Sequence, residues 1–204
     1  MELFGITGGI GMGKSAAGEI LRRLGIPVVD SDQLARDVVA PGTPGLLEVL
    51  RVFGPEFQDA SGALCRAALG RRVFANPADL AQLNALLHPR IRAAWQAQVT
   101  AWQAAGVPRA AVIIPLLFEN AYETEFHTLI CIACTPATQG VRLRARGWDE
   151  AEIHRRTTAQ LAVPEKMRRA HRVIWTEGSL AAHAAQWELV LGLRPSLFNP
   201  AHDI

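Results

Sequence analysis

Between the apolar segment Leu3–Thr7 and an apolar-periodic run that begins at Lys14, the chain places Gly8-Gly9-Ile10-Gly11-Met12-Gly13-Lys14-Ser15. So many glycines would weaken a strand or a helix interior, so the segment reads as a turn with a task. The spacing fits G-x-x-x-x-G-K-[ST]. Glycines allow successive N–H groups to turn inward around an anion, and the helix that follows aims its N-terminus at the same point. Lys14 then reaches the β- and γ-phosphates of a nucleotide, and the Ser15 hydroxyl takes Mg²⁺. The strand before and the helix after, which this motif requires, are both legible.

The helix is predicted from Lys14 to Leu24. Ala17, Ile20, Leu21 and Leu24 form one apolar stripe, Gly25 ends it, and Pro27 prevents a restart. Five short apolar or β-branched runs read as buried strands: Leu3–Thr7, Pro27–Ser31, Ala110–Phe118, Thr128–Cys134 and Arg172–Thr176. Continuous rather than alternating hydrophobicity, with helical patterns between the runs, predicts an α/β fold on a parallel sheet covered on both faces.

No strand is predicted between Gln33 and Pro108. Thr43-Pro44 and Asn76-Pro77 each place a capping residue before an N1 proline. A stripe through Leu80, Leu83, Leu87, Ile91, Trp95, Val99 and Trp102 is helical, with a kink or break expected at His88-Pro89. His88 itself reads as a helix-end histidine. Further helices are predicted after Thr135-Pro136 and from Ser179, and the tail from Arg194, with two prolines, is expected to be loose.

Strand two runs out in Asp30-Ser31-Asp32, and ligands of open parallel sheets bind beyond the carboxyl ends of strands. A carboxylate in line with a γ-phosphate positions an acceptor hydroxyl and takes its proton, a role that suits Asp32. The competing reading makes Asp32 the cap of a helix beginning at Gln33. Asp30 reads as a partner of a Mg²⁺-bound water. Arg36 stands one helical turn after Asp32, either in a surface ion pair or facing an anionic acceptor. Glu119 ends strand three, where it either holds a metal-bound water or caps the next segment. The arginine-rich stretch Arg142, Arg144, Arg146, Arg155, Arg156, Arg168, Arg169 and Arg172 is an ordinary solvated face or a lid that closes over a nucleotide.

Composition removes other classes. A formal net charge of +2 over 204 residues makes no demand for nucleic acid or an anionic membrane. The longest apolar run, Ala110–Phe118, is too short to span a bilayer. The three cysteines have no disulfide spacing, and Cys131 and Cys134, three apart on a strand, read as core rather than as a redox pair. A cytoplasmic protein, monomeric or a small homo-oligomer, is expected. A guanine-specific N-K-x-D signature is absent from the sequence, which argues against a GTP switch.

The stretches "TGGIGMGKS", "GIPVVDSDQLARDVVAPGTP", "FANPADLAQLNALLHPRI", "IPLLFE" and "RLRARGW…RRTTAQ", in this order, resemble the dephospho-CoA kinase family over nearly the whole chain. The resemblance implies a three-layer P-loop kinase fold on a five-stranded parallel sheet. Its nucleotide-binding core would comprise residues 1–32, 109–137 and 170–193, its helical acceptor-binding insertion residues 33–108, and its lid residues 138–169. It implies Mg²⁺-dependent transfer of the ATP γ-phosphoryl group to the ribose 3′-hydroxyl of dephospho-CoA. Lys14, Asp32 and Arg142 would be catalytic. Gly11, Met12, Gly13, Lys14, Ser15, Ala16, Arg142 and Arg146 would bind ATP. Asp32, Arg36, His88 and Arg92 would bind the acceptor, and Ser15 the metal, with Asp30 or Glu119 acting through water. The runner-up is another P-loop small-metabolite or nucleotide kinase. The chain departs from the family pattern at Met12, where a small residue is usual, and at Ala16, where threonine is usual. It departs again in "VIWTEGS", which stands for a "VIDNSG"-like run, so the resemblance does not assign the base contacts near Trp175 and Thr176. The lid turn Arg146-Gly147-Trp148 also lacks a usual acidic neighbour.

Overall fold

The computed structural model describes residues 1–193; the tail from Arg194 lies outside the described residues. Five parallel strands, β1 (Glu2–Gly8), β2 (Val28–Asp30), β3 (Arg109–Ile113), β4 (Thr128–Ala133) and β5 (Arg172–Trp175), form one sheet in the order β2-β3-β1-β4-β5. The expected α/β class and parallel sheet are therefore observed. Because the strands are parallel, their carboxyl ends share one edge. Gly8, Asp30 and Trp175 all end strands there.

Two compact units divide the chain. The first comprises Met1–Asp30 and the chain from Ala105 onward. Alternate residues of β1 face opposite sides of its sheet. Phe4 and Ile6 pack with Ala17, Ile20 and Leu21 of α1 (Lys14–Arg23), with Ile113, Ile132 and Ile174 of neighbouring strands, and with Trp187. On the other face Gly5 leaves room for Phe126 and Leu117; a Cβ there would stand 2.6 Å from Phe126 Cγ. The third strand ends at Ile113, short of the expected Phe118. Pro115 has no N–H to continue the ladder, and Leu117 and Phe118 stay buried in a turn instead.

The second unit, Ser31–Ala104, contains α2 (Ser31–Asp37), α3 (Pro44–Phe53), α4 (Arg66–Ala75) and α5 (Pro77–Ala104) and no named strand among its described residues. Its core gathers Val39, Leu46, Val49, Phe53, Phe57, Leu69, Val73 and Leu86. The Thr43 hydroxyl accepts from Leu46 N at 3.3 Å, and Asn76 Oδ1 from Ala78 N at 3.0 Å, so both expected caps form. Of the kink or break expected at His88-Pro89, the break does not occur: α5 runs through Pro89. Arg90 Nη1 donates back to Leu86 O at 2.6 Å, beside the place where proline removes a backbone donor. Leu80, Leu83, Leu86 and Leu87 hold the N-terminal half in the core. His88 thus sits inside a helix rather than at its end.

From the sheet the chain continues as α6 (Pro136–Arg144), α7 (Glu150–Thr158), α8 (Val163–Arg169) and, after β5, α9 (Leu180–Val190). The helices expected after Thr135-Pro136 and from Ser179 form, and the hydroxyls of Thr135 and Ser179 cap α6 and α9. Cys131 and Cys134 are both buried and free, and burial pushes the Cys131 thiol up to about 11. They are core groups, not a redox couple.

Candidate active site

Glycine is required at specific points of the loop between β1 and α1. Gly11 and Gly13 sit at φ 76° and 94°, in the left-handed region. Gly8, at φ 146°, would bring a Cβ to 2.2 Å from the Ile132 carbonyl oxygen. Gly13 is also the N-cap of α1 and supplies no side-chain acceptor, so the first amides of that helix have no side-chain cap. Lys14 Nζ donates to the carbonyls of Gly8 and Gly9, each at 2.9 Å. Ser15 is exposed in the first turn. Met12 is buried against Cys134, Val163 and Met167, so the bulk that departs from the family pattern fills core.

The outer side of the loop is gripped by side chains from distant elements. Gln139 of α6 donates through Nε2 to Ile10 O at 2.8 Å, and Gln160 Oε1 accepts from Ile10 N at 3.2 Å. The Thr176 hydroxyl donates to Met12 O at 3.0 Å. Arg142 donates twice to Thr176, Nη1 to Oγ1 at 2.9 Å and Nη2 to the carbonyl at 2.5 Å. Glu177 accepts from Thr135 N and Thr138 Oγ1, each at 2.7 Å, which fixes the N-terminus of α6 and holds the carboxyl of Glu177 below its usual range.

A cavity of about 440 Å³ opens beside the loop, walled by Gly11, Gly13, Ala16, Arg142, Arg146 and the Thr176–His183 segment. Five of the predicted ATP-binding residues therefore meet at one hollow. His183 in its wall is buried and accepts from Trp187 Nε1 at 3.2 Å. Burial, then the charge of Arg142, lowers its pKa to about 4. The other arginines of the stretch are mostly engaged locally: Arg144 with Glu150 at 2.6 Å, Arg155 and Arg156 with Glu152, Arg168 with Glu165, and Arg169 with Glu123. Arg156 also lies over the Trp148 ring, 4.4 Å from its centroid.

Of the predicted metal partners, Asp30 ends β2 on the loop's edge of the sheet. Glu119 is engaged differently: its Oε1 takes the ammonium of Lys166 and the Leu161 amide, both at 2.8 Å. Among the described residues no three of His, Cys, Asp or Glu gather as a metal cage. A Mg²⁺ here fits as an ion held chiefly by nucleotide phosphates, with a hydroxyl such as that of Ser15 as protein ligand.

The predicted acceptor residues belong to the second unit. Asp32 and Arg36 lie on α2, His88 and Arg92 on α5, and these two helices pack together. The helix begins at Ser31, one residue before Asp32, so Asp32 stands in its first turn and is not its cap.

Sequence reasoning missed Gln139, Gln160, the Gly178–His183 wall and the bond from Thr176 to the loop. The signal for the wall was available: a Gly-Ser turn directly after a strand, on the edge where ligands bind. The glutamines had none, because each acts across about 130 to 150 residues of chain.

A family model described as dephospho-CoA kinase matches residues 2–182. The chain is 42% identical over 174 residues to a dephospho-CoA kinase of Bdellovibrio bacteriovorus, covering 85% of this chain and 87% of that protein. It is 40% identical over 215 residues to one from Synechococcus sp. (strain JA-3-3Ab), covering 96% and 94%. The solved structure of TT1252 from Thermus thermophilus is 34% identical, with a TM-score of 0.80 over 94% of this chain and 96% of that one.

Proposed function

The chain belongs to the dephospho-CoA kinase family, and we propose from that premise how its residues divide the reaction. The enzyme transfers the γ-phosphoryl group of ATP to the ribose 3′-hydroxyl of dephospho-CoA, giving CoA and ADP, the last step of CoA biosynthesis. The alternative of another small-metabolite kinase is not favoured, since the matching relatives carry the dephospho-CoA kinase name.

The amides from Gly11 to Ser15 and the Lys14 ammonium hold the triphosphate, and Arg142 and Arg146 meet its charge from α6 and the turn beyond it. Bound Mg²⁺ would neutralise phosphate charge, with Ser15 as its ligand and Asp30 as the candidate that acts through water. Asp32 accepts the proton of the 3′-hydroxyl as the new O–P bond forms and the bond to the β-phosphate oxygen breaks. Arg36, His88 and Arg92 bind the anionic acceptor. In this scheme residues 33–108 form the acceptor-binding insertion and residues 138–169 a lid that excludes water. The free cysteines suit a reducing, cytoplasmic setting; no helix among the described residues is long and apolar enough to cross a membrane.

The observation that carries the scheme is the convergence of Gly11, Gly13, Ala16, Arg142 and Arg146 on one cavity at the loop. ADP release measured with and without dephospho-CoA tests it. Release should depend on the acceptor, and ADP formation indifferent to the acceptor would overturn the scheme.

A further inference from the structure

The scheme above leaves open how a loop this rich in glycine keeps its amides aimed. A trans peptide points its carbonyl and the next residue's N–H in opposite directions. No described peptide bond is cis. Whatever holds the carbonyl of Ile10 therefore directs the N–H of Gly11, and whatever holds the carbonyl of Met12 directs the N–H of Gly13. The first carbonyl is held by Gln139 at 2.8 Å, the second by Thr176 at 3.0 Å. We propose that Gln139 and Thr176 are positioning residues, which anchor alternate carbonyls on the outside of the loop and so preset the Gly11 and Gly13 amides as phosphate donors. This rests on the phosphate-loop reading and adds to it two residues that act through the loop's own carbonyls, one of which, Thr176, also lines the cavity.

The hydroxyl of Thr176 can serve both neighbours at once. A guanidinium only donates, so Arg142 Nη1 uses a lone pair of the Thr176 hydroxyl and the hydroxyl hydrogen goes to Met12 O. A β-branched side chain is stiff at χ1, and the Thr176 backbone is pinned by its N–H to Ala133 O at 2.8 Å. The residue is buried and its methyl stands over Gly13: a Cβ at Gly13 would lie 3.3 Å from Thr176 Cγ2. Gln139 acts from a different element, 129 residues from Ile10 in sequence, on a helix whose start is fixed by Glu177. Left-handed glycines have many alternative conformations, so two anchors spare the loop an ordering cost when the phosphate binds.

The test is calorimetric titration of the full chain with a non-hydrolysable ATP analogue and Mg²⁺. Thr176→Val and Gln139→Leu should each weaken binding about tenfold, the scale of one hydrogen bond to a charged group. Thr176→Ser, which keeps the hydroxyl, should stay within about twofold of the parent. A merely structural role would reduce the fraction of titratable sites and leave the Kd of the remaining sites unchanged, and that result overturns the proposal. In an Arg142→Ala background Thr176→Val should still weaken binding about tenfold, because the route runs through the Met12 carbonyl. Loss of the effect there would mean that Thr176 acts through Arg142, which also overturns it. Lys14→Ala separates the two readings. If it abolishes binding while Thr176→Val and Gln139→Leu do nothing, only the positioning role fails. If it binds normally, the phosphate-loop reading fails as well.

Discussion

The Lys14 ammonium is folded onto its own loop, donating to Gly8 O, and to Gly9 O beside it, at 2.9 Å each. Those carbonyls are neutral acceptors, and a triphosphate offers anionic ones that bind an ammonium about twice as strongly. The side chain therefore stands ready to exchange partners without an unsatisfied intermediate. Lys14→Ala should lower kcat/KM for ATP by about 10²–10³-fold, the scale of one lost cation at a phosphoryl-transfer site. Steady-state ADP release at saturating dephospho-CoA measures it. A loss below about tenfold would count against the phosphate-loop reading itself.

Asp32 occupies the first turn of α2, where a carboxylate is favoured by the helix dipole by only about 0.3–1 kcal/mol. Asp32→Asn keeps the shape of the side chain and removes its charge. As the base it should cost about 10²–10⁴-fold in kcat, while the KM for ATP moves by less than about threefold. Stopped or coupled assays at saturating ATP and acceptor read the two constants separately. Equal losses in both constants would make Asp32 a structural residue.

The phosphate loop was legible in sequence because its demands are local. Gly11 and Gly13 take backbone angles that other residues resist, and the strand and helix on either side have their own periodicities. The cap at Thr43 and the helix starts at Thr135-Pro136 and Ser179 were legible for the same reason. Where tertiary packing decides, local rules misled. Pro89 ought to interrupt a helix at a cost of about 3 kcal/mol, yet leucines on one side and Trp95 and Val99 on the other are buried along a continuous α5. The apolar run through Phe118 was read as strand, but hydrophobicity marks burial and Leu117 is buried in a turn. Thr176 was invisible as a loop anchor because its partner, Met12, is 164 residues away.

Lys166 has no side-chain exposure, and its ammonium lies between Glu119 Oε1 at 2.8 Å and Pro115 O at 2.6 Å. The two halves of this pair are not equally placed, because the Glu119 side chain keeps 23% exposure. Removing Glu119 strands a charge that water cannot reach, whereas removing Lys166 strands one that water can. Glu119→Ala should thus destabilise by about 3–5 kcal/mol and Lys166→Met by less. Urea unfolding of both variants reads the order, and the reverse order would show that hydration of Glu119 is not what decides.

His183 links stability to pH. Burial, and next the charge of Arg142, depress its pKa from 6.5 to about 4, and its ring accepts from Trp187 Nε1 at 3.2 Å. Between those values the unfolded chain binds a proton that the folded one refuses, so stability rises with pH across this window. The stabilisation is fully present above about pH 6.5 and is lost as pH falls toward 4, an effect of up to roughly 3 kcal/mol. His183→Gln retains an acceptor for Trp187 and removes the titration. Denaturation of the two proteins from pH 7 to pH 4.5 should therefore show a smaller decline in the variant. Parallel declines would assign the acid sensitivity to other groups.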